Sequence, residues 1–401
     1  MQNSSATSTS SASLKGYGFL VFYLVLLSAL GSFVNDMFSP ALPAMRRFFD
    51  CSVPTVQMGL TAGMCGLGLG QIILGPVSDK YGRKPVLVAS ISVFVVAAVV
   101  SIFSPTIHFF IWCRFFQGLG VSGGYFLART IPADRFQGRQ LAKVMALVGA
   151  INGFAPASAP VLGGIVADTW GWRGIFVCLA VFAVIVLAMA PGMKESLPPA
   201  RRTAGSLWRS FGGFRVLLRN RPFMIHSCFK GVSLGMLFAY ISASPFILQV
   251  HYGYSQTMYG VIVGVNSIFA AAGSMLALKF PTLKRAARVA TLIVAVAVAG
   301  QAFALWNVHN FWLFEALMVA MLFGMGMIFT ASNTLAMNEG RMKAGEASAI
   351  LGLVGYVVGA IVSPLVGMGN ILHSTAIVFV VLALNMLVLN LLAYKLPVDL
   401  N

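Results

Sequence analysis

The chain has 401 residues, of which 58 % are hydrophobic and 9 % charged. Soluble domains carry about 25 % charged residues, so an ordinary water-soluble enzyme or binding module is excluded and a polytopic membrane protein is expected. The net charge of +17 does not indicate nucleic acid, because the cations cluster in short breaks between apolar runs and read as topology signals rather than a phosphate-binding face.

Taken in order, residues 1–14 are Ser/Thr-rich and read as disordered. No small-residue cleavage site follows the first apolar run, so it reads as a retained helix and not a signal peptide. A helix needs about 20 apolar residues to span a bilayer. Twelve such runs are predicted, at 17–38, 54–75, 86–104, 107–128, 141–166, 174–192, 223–247, 256–278, 288–306, 311–333, 346–369 and 373–394. The plan is a tail over 1–16, a six-helix bundle over 17–193, a basic cytoplasmic linker over 194–222, a second bundle over 223–395 and a tail over 396–401. With the N-terminus inside, Arg46, Arg47 and Arg173 fall outside, Arg114 and Lys230 fall within helices, and the rest of the 27 Lys and Arg lie inside. That bias predicts that both termini are cytoplasmic.

The halves repeat. Ser39-Pro40 recurs as Ser244-Pro245, Gly118-Leu-Gly120 as Gly324-Met-Gly326, and Pro160-Val-Leu-Gly163 as Pro364-Leu-Val-Gly367, all at nearly one offset. Arg83 maps onto Arg288 at the same spacing, although Asp79 then falls on Lys284. Parallel six-helix repeats about an axis along the membrane normal place a ligand site between them near mid-membrane. The fold class expected is all-α, with twelve transmembrane helices in two pseudo-symmetric six-helix bundles.

Charges inside helices are few, and each costs several kcal/mol unless paired or functional. Asp36 lies roughly 28 Å along the first helix and Arg114 roughly 10 Å in from the outer face, at 1.5 Å per residue. The two therefore share a depth and are expected to face one central cavity. The competing reading has Asp36 capping the outer helix end in water, since Pro40 and Pro43 follow closely, and Arg114 bracing helices. Tyr125, Asn152, Tyr240, Asn266 and Tyr356 each put a polar edge in an apolar helix, either toward a cavity or into interhelical hydrogen bonds. Lys230 attracts an anionic substrate or snorkels to the inner face, and Glu315 is expected to reach water at the outer end of its helix. The five cysteines and five histidines form no metal or disulfide pattern. No G-x-x-x-x-G-K-[ST], Ser/His/Asp or HExxH arrangement is present, so no enzyme activity, cofactor or metal is expected.

Residues 75–85, GPVSDKYGRKP, pack Asp79, Lys80, Tyr81, Arg83 and Lys84 into a water-facing turn between apolar helices. Gly75, Asp79, Gly82, Arg83 and Lys84 resemble the loop signature of the major facilitator superfamily, G-x-x-x-D-x-x-G-R-[RK]. Asn35-Asp36-Met37 with Pro40-Ala-Leu-Pro43 resembles the first helix of its drug/proton antiporters, and Arg114-Phe-Phe-Gln117-Gly118 resembles their R-x-x-Q-G motif. Ala159-Pro160-Val-Leu-Gly163-Gly164 resembles the antiporter motif G-P-x-x-G-G, with Ala in place of the first Gly. Ser242-Ala-Ser244-Pro245-Phe246, Lys194-Glu195-Ser-Leu-Pro198-Pro199 and Ser348-Ala-x-Leu351-Gly352 resemble the bicyclomycin-resistance (Bcr/CflA) branch.

The resemblance runs from about Phe33 to Leu391. It implies a monomeric, multi-pass protein of the bacterial inner membrane, exporting small amphipathic drugs (bicyclomycin-, sulfonamide- or phenicol-like) against protons. It assigns proton coupling to Asp36 and Arg114, and adds Asn35 and Ser244 to the five polar residues above as substrate contacts. It makes the 75–85 loop an inner gate. Family members often place an acid just after the fourth helix as partner to the loop Arg; here Arg129 is followed by Thr130, and the nearest acid is Asp134. Export of a native metabolite, such as a sugar or amino-acid derivative, is the alternative transport reading. A non-transporting receptor or scaffold is the other, disfavoured by the short loops.

Overall fold

A computed structural model describes residues 17–202, 212–308, 310–341 and 344–395. The expected tails at 1–16 and 396–401, and residues 203–211 of the linker, lie outside them. Among the described residues every regular element is helical. Twelve long helices follow the apolar runs: α1 Gly18–Asp36, α2 Val53–Tyr81, α3 Arg83–Ile102, α4 Ile107–Arg135, α5 and α6 from one run Gly138–Met189, α7 Arg221–Phe246, α8 Gln256–Ala277, α9 Leu283–Phe303, α10 Phe311–Glu339, α11 Ala344–Leu365 and α12 Ile371–Tyr394. The run Gly138–Met189 breaks at Gly171, whose φ of 70° suits glycine, giving α5 over 138–170 and α6 over 172–189. Among the described residues ten stretches are long and apolar enough to cross a membrane, one of them the unbroken 138–192 segment. Helix α4 is not among the ten, because Arg114, Gln117 and several glycines dilute its apolar character.

Several expected limits shift. Helix α2 continues to Tyr81, beyond 75, so Gly75, Asp79 and Lys80 are helical and the expected 75–85 turn contracts to Gly82 alone. Polar side chains at a helix end reach water without breaking the backbone ladder, so the loss of apolar character preceded the end of the helix. Helix α4 likewise runs past 128, which places Asp134 in its last turn. Beyond α1 the chain makes a 3-10 turn, Ser39–Ala41, and a short helix, Leu42–Phe48, with Pro40 and Pro43 in first-turn positions where proline is tolerated. Helices α7 and α9 each end in a π-turn, Ile247–His251 and Ala304–Val308.

Two apolar cores form. One gathers Leu24, Leu60, Met64, Phe94, Phe110 and Phe176 from α1–α6; the other gathers Met236, Ala239, Met321, Met325 and Phe379 from α7–α12. A smaller cluster, Leu217, Phe223, Ala336 and Ala347, ties a short helix Gly212–Arg219 to α7, α10 and α11. Outward-facing Val96, Trp112, Ile268 and Val296 are exposed, a surface suited to lipid. The halves meet along α2 with α11 and along α5 with α8. Because both halves hold an even number of helices, the start of α1 and the end of α12 share one face, the termini face; the end of α1 lies at the far face.

Candidate functional site

Between the halves lies a cavity of about 520 Å³. Its wall includes Asn35, Asp36, Tyr125, Pro160, Tyr240 and Asn266 among apolar residues such as Leu237, Phe238, Met325 and Phe329. Asp36, the last residue of α1, faces this cavity and not bulk water, and makes no ion pair among the described residues. The 3-10 turn explains why: the chain continues into buried Ser39, Pro40 and Ala41, covering Asp36 from the far face.

Arg114 is elsewhere. Its fully buried guanidinium donates to the Val34 carbonyl at 3.1 Å, the Gln117 Oε1 at 2.7 Å, the Gly59 carbonyl at 3.4 Å and the Asn35 Oδ1 at 3.4 Å. It also stacks 4.1 Å from the centre of the Phe38 ring. It is absent from the cavity wall, so the expectation that Asp36 and Arg114 face one cavity is corrected. Equal depth does not fix the phase around a helix, and that of α4 turns residue 114 toward α1 and α2. Gln117 continues the brace, donating to the Ala97 carbonyl at 3.2 Å and to Ser101 Oγ at 3.0 Å.

The other expected contacts divide. Asn266 on the wall donates to the Tyr240 hydroxyl at 2.9 Å. Tyr125, also on the wall, accepts from Arg129 at 2.6 Å, and the guanidinium lies 4.3 Å over its ring. Ser244 is buried off the wall, 3.3 Å from the Tyr259 hydroxyl, and Tyr356 packs on Phe238 with ring centres 6.0 Å apart. The Asn152 side chain lies outside what the structure describes. Glu315, expected to reach water, is half-buried, and its Oε2 is buried without a hydrogen-bond partner among the described residues.

Polar contacts between the halves concentrate toward the far face. Asp168 accepts from the Thr257 backbone N–H at 2.9 Å and its hydroxyl at 2.6 Å; Gln57 donates to the Ser242 carbonyl at 2.9 Å and Gln249 to the Pro40 carbonyl at 2.8 Å. Tyr259 bonds Ser39 at 3.2 Å. Close backbone approach completes the seal, since a Cβ on Gly164 would strike the Gln256 carbonyl across the halves; Gly163 instead packs α5 on the end of α1 within the first half, where a Cβ would strike the Met37 carbonyl. Sequence reasoning picked Pro160, Gly163 and Gly164 but missed Asp168, whose sole signal was a lone acid near a helix end.

At the termini face Arg83 is buried among three partners. Its Nε donates to Asp134 Oδ2 at 3.0 Å, its Nη1 donates to Ser78 Oγ at 2.7 Å, and Nη1 also pairs with Asp79. Asp134 thus reaches the Arg of the 75–85 stretch, and Ser196 donates to the same Oδ2 at 3.2 Å. Glu195 was read only as part of a branch resemblance. Its carboxylate accepts from the backbone N–H of Arg83 at 3.0 Å and of Lys84 at 3.2 Å, at the N-terminus of α3 where the helix dipole favours an anion. Burial pushes the Glu195 carboxyl up, but the N–H groups of Leu197, Arg83, Lys84 and Ser196 outweigh it and hold the group below its ordinary range. Gly82, at φ 105°, leaves room for this carboxylate; a Cβ there would sit 2.6 Å from Glu195 Oε2. Lys84 donates from Nζ to the Pro191 carbonyl at 2.9 Å. Gly75 faces Phe126 with ordinary clearance.

Comparison with known proteins places this geometry. The family model of the Major Facilitator Superfamily matches residues 24–364. The chain is 34 % identical over 376 residues to the uncharacterized MFS-type transporter YdgK of Bacillus subtilis, covering 90 % of this chain and 93 % of that protein. It is 27 % identical over 340 residues to multidrug resistance protein D of Escherichia coli, covering 83 % and 84 %. Among solved structures, a bacterial homologue of the human lysosomal transporter Spinster, inward-facing and unoccupied, superposes with a TM-score of 0.73 at 15 % identity over 94 % of this chain and 96 % of that one. A D-xylose–proton symporter does so with 0.69 at 16 % identity over 92 % and 96 %. At these identities the structural likeness speaks for the fold.

Proposed function

The chain belongs to the Major Facilitator Superfamily, and from that premise we propose that it is a proton-coupled exporter of small amphipathic drugs in the bicyclomycin-resistance branch. The observation that carries this reading is Asp36, an acid with no ion-pair partner among the described residues, on the wall of a largely apolar cavity sealed at the far face. An intramembrane carboxylate without a counter-ion has little reason to persist unless it binds something, and a proton is the smallest candidate. The name of multidrug resistance protein D supports a drug-like substrate.

In this reading the termini face is cytoplasmic, the membrane is the bacterial inner membrane, and a monomer suffices. Bundles over 17–193 and 223–395 rock about the 194–222 linker. With the far seal closed, the cavity loads from the cytoplasm while Asp36 gives up its proton inward. Parting of Asp168 from Thr257 and of α5 from α8 opens the far face, and protonation of Asp36 from outside releases the substrate. Arg114 is a positioning residue: by holding Val34 and Asn35 it fixes the end of α1 and so the aim of Asp36. The network of Gly82, Arg83, Asp79 and Asp134 holds the termini ends of α2, α3 and α4 as one body through the cycle.

The wall also presents Ser32, Asn35, Asn266, Ser267 and Thr330. This polar lining favours a second reading, export of a sugar or amino-acid derivative, which a competition panel against a phenicol antibiotic separates. The test of coupling is flux of that antibiotic into inside-acidic proteoliposomes containing outward-oriented cytoplasmic faces. Wild type is expected to accumulate it, and Asp36→Asn to lose pH-driven accumulation while keeping passive counterflow. Undiminished pH-driven flux by Asp36→Asn would remove Asp36 as the carrier.

A further inference from the structure

Beyond Asp36, the cavity carries a second charged region at the opposite end. On α7, Lys230 lies one turn toward the termini face from the wall residues Ser233 and Leu234. Its ammonium donates to Asn333 Oδ1 on α10 at 2.8 Å and lies 5.0 Å from the centre of the Phe329 ring, itself on the wall. On α4, in the other half, Arg129 lies one turn toward the termini face from the wall residue Tyr125, to which it is bonded and stacked. The buried Lys230 and the exposed Arg129 thus flank the termini end of one cavity from opposite halves, each against an aromatic ring of its wall. Neither pairs with a carboxylate among the described residues, where the ion pairs involve only Arg83 and Arg202.

Lys230 is 8 % exposed, so snorkelling to the aqueous face does not account for it. A buried ammonium with a neutral amide and a ring face as its contacts is under-compensated. An ammonium has three N–H donors and a guanidinium five. Asn333 and Tyr125 each engage one of these groups, which leaves both cations donors for a ligand. The phenyl and phenol rings of Phe329 and Tyr125 beside them provide apolar contact for the body of a molecule whose charged end they hold.

We propose that Lys230 and Arg129 form an anion subsite, and that among amphipathic molecules the cavity prefers those bearing a carboxylate, sulfonate or phosphate group on an apolar body over uncharged ones. The inference rests on the export reading above and specifies its substrate class. Because the two cations come from opposite halves, an anion held by both draws the termini ends of α4 and α7 together. The bound anion thus favours closure of the mouth through which it entered, and this preference for the closed state is what a ligand needs in order to drive alternation.

The test uses full-length protein in a neutral maltoside detergent, with naphthalene-2-sulfonate and its uncharged isostere naphthalene-2-sulfonamide as probes, and short-chain phosphatidylglycerol as a lipid control. Charge-assisted hydrogen bonds contribute about 1.5–3 kcal/mol, so Lys230→Gln and Arg129→Gln are each expected to weaken sulfonate binding about tenfold or more and leave the sulfonamide unchanged. Lys230→Arg, which keeps the charge, is expected to retain sulfonate preference and guards against loss through misfolding. Equal binding of both probes by wild type, equal weakening of both in the Gln variants, or binding of phosphatidylglycerol alone would overturn the subsite. Flux in proteoliposomes keeps this separate from export. PH-driven flux of the sulfonamide with no sulfonate preference overturns the subsite and leaves export standing. Sulfonate preference that depends on Lys230, with no pH-driven flux of either probe, supports the subsite and overturns export.

Discussion

Arg114 and Asp36 are both polar, both deep, and carry opposite consequences when replaced. Arg114→Met leaves the Gln117 and Asn35 amide oxygens without their charged donor inside a packed bundle. Each buried polar group stripped of its partner costs about 1–3 kcal/mol, so the thermal midpoint of the purified protein should fall clearly. Asp36→Asn breaks no described ion pair and should leave that midpoint unchanged. A fully stable Arg114→Met that has lost only coupling would instead make Arg114 part of the proton path. At the termini face, Gly82→Ala forces a side chain onto φ 105°, which costs about 1–3 kcal/mol before the clash with Glu195 is counted. Unfolding followed by fluorescence should show it.

Glu195 gives a pH signature. Its carboxyl is held below its ordinary range, so the folded state binds its proton less readily than the unfolded chain. The stabilisation is therefore full above the unfolded value, about pH 4.3, and drains away as pH falls through the lower folded value. Glu195→Gln should be less stable than wild type at neutral pH, with the gap narrowing in acid. A gap independent of pH would mean that the carboxylate charge contributes nothing there.

Among elements, the α5–α8 seam decides how the far face closes. Gly164 meets the Gln256 backbone directly, so Gly164→Val should hold the two helices apart. Spin labels at the far ends of the two halves are expected to report a longer distance in this variant; an unchanged distance would show that the seam is not what closes the face. The seam was partly legible in the sequence, because a proline followed by paired glycines in an apolar helix signals close packing. Its partner surface was not, since nothing in residues 160–164 names Gln256. The same holds for Glu195, which meets Arg83 across 112 positions of sequence. Apolar length gave the number and order of the helices, while polar helix ends such as 76–81 and 129–135 concealed where α2 and α4 stop. The phase of α4 about its axis, which turns Arg114 away from the cavity, is set by packing and left no local mark.

For the whole molecule, two helical bundles enclose one cavity, with an acid toward the sealed far end and two cations toward the termini face. A neutral wall between opposite charges suits a ligand held at both ends, and in the proposed export cycle a proton exchanged at the acid would make the occupancy of the cavity depend on pH. The internal repeat announced the two-bundle plan, but cavity and seal arise from contacts between halves that no single run contains. The most direct test is proton release on binding, followed with a pH indicator in weakly buffered detergent solution as a phenicol antibiotic is added. Wild type is expected to release protons in proportion to antibiotic bound, and Asp36→Asn to bind it without release; equal release from Asp36→Asn would contradict the account.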